Sequence, residues 1–392
     1  MISVTEAKNI ILNNLPERKT ALLPLSEAAG LVTSAKVIAG TDIPGFPQSS
    51  MDGYALKFKD QHLPLEISGE MAAGTTALFH LQDGQASRIF TGAPLPEGAD
   101  TVVMQEKITI ENNQLIIKDE NLSQGLNVRP KGSEVKKGAV AIAAGTFLSP
   151  AAIGFLAGIG QDQVEVYRPP VVAVILTGNE LQDPGQVLAF GQVYEANSYQ
   201  LKAALEKTGL KEIHVFRAED DPATLQQILE QALQISDLVL LNGGVSVGDY
   251  DFVTKAAKQC GIEEKFHKIR QKPGKPLFFG TKGEKLVFGL PGNPSSSLTC
   301  FYEYVLPAVE NLLGLKNSVQ KLNVVATHDY IKPAGLTHFL KAFYEEGAVT
   351  PLHAQESYRL HSFAQANCFL VLPEESTGCK KGDIVEIHLL PL

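Results

Sequence analysis

The chain of 392 residues contains no uninterrupted run of about 18 apolar residues, so no membrane-spanning helix is expected. Its most apolar stretch, Ala139 to Gly160, is broken by Ser149, Pro150 and several glycines. The start, MISVTEAKNIILNN, lacks a basic region followed by an apolar core and does not read as a secretory signal peptide. Four cysteines, Cys260, Cys300, Cys368 and Cys379, show no CxxC spacing. That argues against a disulfide framework or a structural zinc, and a reducing cytoplasm is the simplest location. Nor is there a basic excess: 34 Lys plus Arg face 43 Asp plus Glu, for a net charge of −9. Nucleic-acid-binding surfaces usually leave a basic footprint, so nucleic acid is not an expected partner, whereas local lysines can still serve small anions. Two phosphate-binding fingerprints are missing as well. With no G-x-x-x-x-G-K-[ST] and no G-x-G-x-x-G after a strand, neither a standard P-loop nor a dinucleotide site is expected.

What is present is the composition of a folded protein, 44% hydrophobic and 20% charged. At roughly 100–200 residues per domain the length allows two to four domains. Ser3–Leu15 reads as an amphipathic helix, with Val4, Ala7, Ile10 and Ile11 on one face. Residues 39–135 are punctuated by Gly and Pro and carry short strand-like runs such as Thr101–Met104 and Gln114–Lys118. Residues 149–160 look helical again, which predicts a β-rich insertion within a helical unit. A different rhythm follows. Strands at 171–176, 213–216, 237–241 and 286–290 alternate with helices at 197–208, 223–234, 250–259 and 294–313. Such alternation predicts βαβ units and a mainly parallel sheet. After about residue 316, Val324–Thr327, Phe369–Leu372 and Ile384–Leu389 predict a small C-terminal β domain.

Ligands of open α/β sheets gather beyond the carboxyl ends of the strands. Here the four strands run into Thr177-Gly178-Asn179-Glu180, Arg217 to Asp221, Asn242 to Asp251, and Pro291-Gly292-Asn293-Pro294-Ser295. Four such loops predict one shared site. Glycines let the backbone approach an anion, as Gly243, Gly244, Ser246 and Gly248 would allow. The acids Glu180, Asp220 and Asp251 would repel a phosphate unless Mg²⁺ lay between them, whereas Asp221 before Pro222 reads as a helix cap. Lys272 and Lys275, in Lys272-Pro-Gly-Lys275-Pro, suit an oxyanion or phosphate. Gly244-Val-Ser246-Val-Gly248 also fits the G-x-S-x-G pattern of a hydrolase nucleophile, with His328, His353 and His361 downstream. The neighbouring acids fit anion and metal binding better.

Taken in order, Asp42-Ile-Pro-Gly-Phe, Ser50-Met-Asp-Gly-Tyr-Ala, Thr91-Gly-Ala-Pro-Leu-Pro-Glu-Gly-Ala-Asp, Thr177-Gly-Asn-Glu-Leu, Gly243-Gly-Val-Ser-Val-Gly, Lys272-Pro-Gly-Lys-Pro and Leu290-Pro-Gly-Asn-Pro form a set. The chain resembles the molybdopterin molybdenumtransferase (MoeA) family, also represented by the E domain of gephyrin. The resemblance implies insertion of molybdenum from molybdate into adenylylated molybdopterin, with Mg²⁺-dependent release of AMP. It implies a multi-domain, elongated subunit that forms a homodimer and combines α/β with β structure. The expected parts are a helical linker part (1–38 and 136–168), a β-rich inserted domain (39–135), a doubly wound, mainly parallel α/β domain (169–316) and a C-terminal β-barrel-like domain (317–392).

By the same resemblance the site lies between the α/β part of one subunit and the inserted β part of the other. Asp52, Thr91, Glu180, Asp220 and Asp251 would be catalytic, with Glu180, Asp220 and Asp251 also holding the metal. Gly243, Gly244, Ser246, Gly248, Asp249, Lys272, Lys275, Pro291, Gly292, Asn293, Pro294, Ser295, Arg129 and Glu134 would bind substrate. Transient contacts with the adenylylating enzyme and with acceptors of the finished cofactor are further implied partners. The chain departs from the pattern where relatives often read Arg-Arg-Arg/Lys-Gly-Glu-Asp and it has Arg129-Pro130-Lys131-Gly132-Ser133-Glu134. It departs again where Leu336 and Lys341 occupy usual arginine positions, so the residues that hold the oxyanion stay open. Two other readings remain: an adenylyl-transferring or nucleotide-pyrophosphate-cleaving enzyme, and a non-enzymatic scaffold.

Overall fold

A computed structural model of the protein describes residues 1–76, 79–219, 221–244 and 252–391. The chain forms two compact units, one of residues 1–22, 30–34 and 165–392, the other of residues 23–29 and 35–164. The helix Val4–Asn13 falls in the larger unit and the helix Pro150–Gly158 in the smaller.

The smaller unit is built on a six-stranded sheet ordered Thr101–Met104, Gly53–Leu56, Gln85–Ile89, Leu65–Met71, Gln114–Ile117, Ile108–Glu111. Successive strand residues point to opposite faces. Ala55 and Val102 therefore enter one core with Met71 and Ile89, while Leu56 and Val103 enter another with Leu65 and Leu115. The helix Pro150–Gly158 begins where Ser149 Oγ accepts from Ala152 N–H at 3.3 Å, with proline in its first turn.

In the larger unit a six-stranded sheet runs Ile213–Ala218, Val172–Thr177, Leu238–Asn242, Lys285–Leu290, Phe278–Lys282, Glu263–His267. The first four strands are parallel and the last two join antiparallel. The near-continuous apolar runs follow from cover on both faces. Val172, Val174, Leu176, Leu238 and Leu240 pack with Leu201 and Leu205 of the helix Asn197–Lys207 on one side. Ala173, Ile175, Val239 and Leu241 pack with Leu225 and Leu229 of the helix Pro222–Ile235 on the other. The C-terminal strands Thr337–Glu345, Ala348–Pro351, Gln320–Ala326, Ile384–Leu389 and Cys368–Leu372 close into a five-stranded barrel, the last pairing with the first. All four cysteines are buried and free, and burial pushes the Cys368 thiol up to about 12. Among the described residues no helix is long and apolar enough to cross a membrane.

The long helix expected over 294–313 is broken into Pro294–Cys300, a π-helical turn Phe301–Val305 and Leu306–Leu312. Pro307 has no N–H to continue an α-helical ladder, and Leu306 N–H reaches back five residues to Phe301 O. The widened turn carries Glu303, fully covered, against Lys8 of the first helix and His388, whose Nδ1 lies 2.7 Å away. Burial pushes the Glu303 carboxyl up, but Lys8 and His388 outweigh it and hold the group at about 2, below its ordinary 4.5. The stability this ion contributes is fully present above pH 4.5 and is lost as pH falls toward 2. Lys8→Met leaves a buried carboxylate short of its cation and should cost about 3 kcal/mol in a denaturant titration. A loss under about 1 kcal/mol would assign the pair no stabilising role.

Candidate active site at the end of the parallel sheet

The order of the parallel strands places a switch point between Val172–Thr177 and Leu238–Asn242, because the chain leaves the first strand to one side and returns on the other. Crevices beyond the carboxyl ends at such points are where ligands of this architecture bind. A cavity of about 720 Å³ opens there. Its wall includes Thr177, Gly178 and Glu180 after the first strand, Asn242, Gly243 and Gly244 after the third, and Pro291, Gly292, Asn293 and Pro294 after the fourth. Three of the four expected strand-end loops therefore meet. Among the described residues none of the loop after the edge strand Ile213–Ala218 lies on the wall; that strand is on the far side of Val172–Thr177. Its Arg217 pairs with Asp183, and Asp221 caps the following helix by accepting from Thr224 N–H at 2.8 Å.

The cavity is held by a buried amide. Asn242 Nδ2 donates to Pro291 O at 3.1 Å and to Ser297 Oγ at 2.8 Å, while its Oδ1 accepts from Asn197 Nδ2 at 2.6 Å. Asn197 Nδ2 also donates to Gly292 O at 2.7 Å, and Gln200 Nε2 to Pro294 O at 3.0 Å. Gly243 has φ +91, and a Cβ there would sit 2.6 Å from Thr177 Oγ1, so only glycine fits. The Glu180 carboxylate lies over Gly178, within 2.8 Å of where a Cβ would stand. Ser295, expected to bind substrate, is fully covered, and its N–H is already donated to Ser357 O at 3.1 Å. Its backbone instead docks the segment that carries Tyr358 to the wall.

Lys341 organises that segment. It is 2% exposed, and its Nζ donates to Ala354 O at 2.8 Å, Arg359 O at 2.9 Å and Glu356 O at 3.4 Å. An ammonium so engaged is not available to a ligand, which answers the departure noted at this position. Lys272 and Lys275 are exposed on the segment leading to Pro276, itself on the cavity wall. Their turn is shaped from beneath by Gln271, whose Nε2 donates to Pro273 O at 3.0 Å and Gly274 O at 3.2 Å and whose Oε1 accepts from Tyr304. Asp220, Ser246, Gly248, Asp249 and Asp251 lie outside the described residues. Among the described residues Glu180 is the one carboxylate on the wall, no histidine reaches it, and no group of three metal-ligating side chains occurs. His328 instead bonds Thr327 Oγ1 at 2.8 Å within the barrel, which gives the hydrolase reading no partner there.

In the smaller unit Asp52 Oδ1 accepts from Thr91 N–H at 2.8 Å and Thr91 Oγ1–H at 2.9 Å. Those two bonds hold its carboxyl below the usual range. The strand Gln48–Ser49 pairs with Val128–Arg129 and bridges to Pro94, so the Asp52 and Arg129 turns share one edge. Glu134 is exposed next to it, its N–H bonded to Ile43 O at 2.9 Å.

Asn242, Asn197, Lys341 and Tyr358 carry the cavity's shape; of these the sequence marks only Lys341, as a departure from an arginine position. The available signal was an amide ending the apolar run Leu238 to Leu241. Asn242→Ala should destabilise the protein by about 2–3 kcal/mol, since three partners lose their bond in a covered place. Asn197→Ala, at a half-covered position, should cost about 1 kcal/mol. Equal losses in denaturant titrations of the two variants would refute this ranking.

Comparison with known proteins bears on the whole length. Residues 2–160 match the MoeA N-terminal region (domain I and II), 173–311 a probable molybdopterin binding domain, and 323–390 the MoeA C-terminal region (domain IV). A molybdopterin molybdenumtransferase of Haemophilus influenzae is 36% identical, with 100% of both chains covered. One of Nostoc sp. is 35% identical over 100% of this chain and 94% of its own. The solved structure of the molybdopterin biosynthesis MoeA protein from Pyrococcus horikoshii superposes with a TM-score of 0.85 at 30% identity, covering 99% of each chain. Since these matches span the smaller unit, the parallel sheet and the barrel alike, the chain belongs to the molybdopterin molybdenumtransferase (MoeA) family.

Proposed function

We propose that the protein inserts molybdenum from molybdate into adenylylated molybdopterin, cleaving the pyrophosphate link and releasing AMP. The observation that carries this reading is the cavity at the switch point, walled by three strand-end loops, in a chain similar throughout to molybdopterin molybdenumtransferases. Gly243 and Gly244, both at positive φ, present backbone to an approaching phosphate. Lys272 and Lys275 neutralise charge on the pyrophosphate and the oxyanion. The exposed Glu180 carboxylate on the wall suits a hard cation, which takes one or two carboxylates together with phosphate oxygens. Glu180, Asp220 and Asp251 would hold Mg²⁺, which when bound supplies charge neutralisation at the scissile link. By the resemblance, Asp52, Thr91, Arg129 and Glu134 would serve the site of the partner subunit. The working form is a cytoplasmic homodimer whose subunits divide into the four parts implied by the resemblance.

The test is incubation with adenylyl-molybdopterin, molybdate and Mg²⁺, following AMP. Asp251→Asn removes the charge that a hard cation needs and should lower AMP release at least tenfold, or about 1.4 kcal/mol in the activation barrier, with folding intact. Unchanged release over a Mg²⁺ titration would remove Asp251 from the catalytic set. Sedimentation at micromolar concentration should give a dimer, and a monomer alone would refute that assignment.

A further inference from the structure

We propose that Tyr358 and Tyr194 form an aromatic platform on the cavity wall that takes a flat nitrogen heterocycle of the ligand. This rests on the reading of the cavity as the adenylyl-molybdopterin site and names the part of that molecule which meets the rings.

Both tyrosines line the cavity, and both are open to it, Tyr194 49% exposed and Tyr358 60% exposed. Neither belongs to one of the hydrophobic cores, and the Tyr358 ring meets the guanidinium of Arg359, 5.7 Å from its centre. The wall also carries the apolar side chains of Val193, Pro276 and Pro294. A phosphate gains nothing from such a surface, whereas a heteroaromatic ring stacks on it.

Both rings are also held in place. Tyr194 ends the short parallel pair Leu181–Gln182 and Val193–Tyr194, and its hydroxyl donates to Gln186 O at 2.7 Å. Tyr358 sits on a loop wrapped around the buried Lys341 ammonium. Gln355 clamps the same loop by donating to Lys341 O at 2.8 Å and Leu352 O at 2.7 Å, and Ser362 Oγ donates to Ala354 O at 2.7 Å. Ser357 seats the loop on the cavity rim, its O accepting from Ser295 N–H at 3.1 Å and its Oγ from Asn293 Nδ2 at 2.8 Å. Dehydrating an ammonium to fix one loop is costly, and what that loop delivers to the cavity is an aromatic side chain. The ring is thus ordered before ligand arrives, which lowers the cost of binding.

Adenine and pterin share the flat heterocyclic chemistry, and three probes separate them: AMP, ribose 5-phosphate and 6-hydroxymethylpterin, each measured by calorimetry on the full chain. Tyr358→Ala and Tyr194→Ala are expected to fold as the wild type by circular dichroism. They should weaken one ring-bearing probe roughly fivefold or more while leaving ribose 5-phosphate unchanged. Tyr358→Phe should restore the affinity. Loss confined to AMP assigns adenine, and loss confined to the pterin assigns that ring. Equal loss of ribose 5-phosphate, or no loss of either ring probe, overturns the platform. Overturning it while wild-type AMP release proceeds leaves the transferase reading standing. Ring-dependent binding without AMP release sinks that reading and keeps the platform.

Discussion

The site depends on one side-chain amide. Asn242 stands where the third strand of the parallel sheet ends, and its amide has two donor hydrogens and an acceptor oxygen to satisfy in a covered place. Pro291 O and Ser297 Oγ take the hydrogens, and Asn197 Nδ2 donates to the oxygen. Pro291 and Ser297 lie on the loop after the fourth strand and the helix it opens, and Asn197 starts the helix Asn197–Lys207, so with Asn242 three segments are joined. A hydrogen bond between two loops fixes one distance, whereas this trio fixes three segments against each other. Asn197 and Gln200 extend the arrangement to the carbonyls of Gly292 and Pro294. The apolar cores on the two faces of the sheet hold the strands, and at the crevice these amides tie the strand-end loops together.

A second polar device shapes the opposite side. Lys341 lies inside the C-terminal barrel unit with three carbonyls of residues 354–359 around its ammonium. Burial pulls its pKa down from the ordinary lysine range, while Glu356 acts in the opposite sense. An arginine at this position would present its donors from a planar fork in fixed directions. A lysine offers a point charge with three rotatable donors, and here the backbone loop folds to meet all of them. The residue thus acts on the cavity through Tyr358 and Ser357 instead of through contact with an anion. Lys272 and Lys275 are exposed on the segment that leads to Pro276 on the wall.

The parallel sheet was legible because its strands are covered on both faces, which leaves runs such as Val172 to Leu176 and Leu238 to Leu241 with no polar residue. Helix starts were legible where a side chain closes the first turn: Ser3 with Glu6 forms a capping box, and Asp221 with Pro222 a cap followed by proline. Thr337–Glu345 escaped notice because it buries His338 and Lys341 among its apolar residues. Such a strand shows neither alternation nor a continuous apolar run. The π-turn was missed for a related reason. Its buried Glu303 is satisfied by Lys8 and His388, which lie 295 and 85 residues away along the chain. The Asp52 and Thr91 bond spans 39 residues and joins two turns that composition reads only as loops. In each case the missing information is a partner, and partners distant in sequence leave no local pattern.

The resulting cavity divides its tasks by chemistry. Asn242, Asn197 and Gln200 are spent within the protein, so their amides are committed to structure before a ligand arrives. Among the described residues the wall presents backbone at Gly243 and Gly244, one carboxylate at Glu180, prolines, and two tyrosine rings. Backbone at positive φ can approach a phosphate closely, which a side chain at Gly243 would prevent by colliding with Thr177. An anion is attracted into a chain of net charge −9 only where local cations outweigh the acids, and the lysine turn stiffened by Gln271 stands beside the wall at Pro276. Rings and prolines favour the flat, weakly hydrated part of a ligand, and glycines and lysines favour its charged part. A molecule that carries both, joined by a short link, would be oriented by the protein with its charged link at the strand ends, because neither end fits the other's surface.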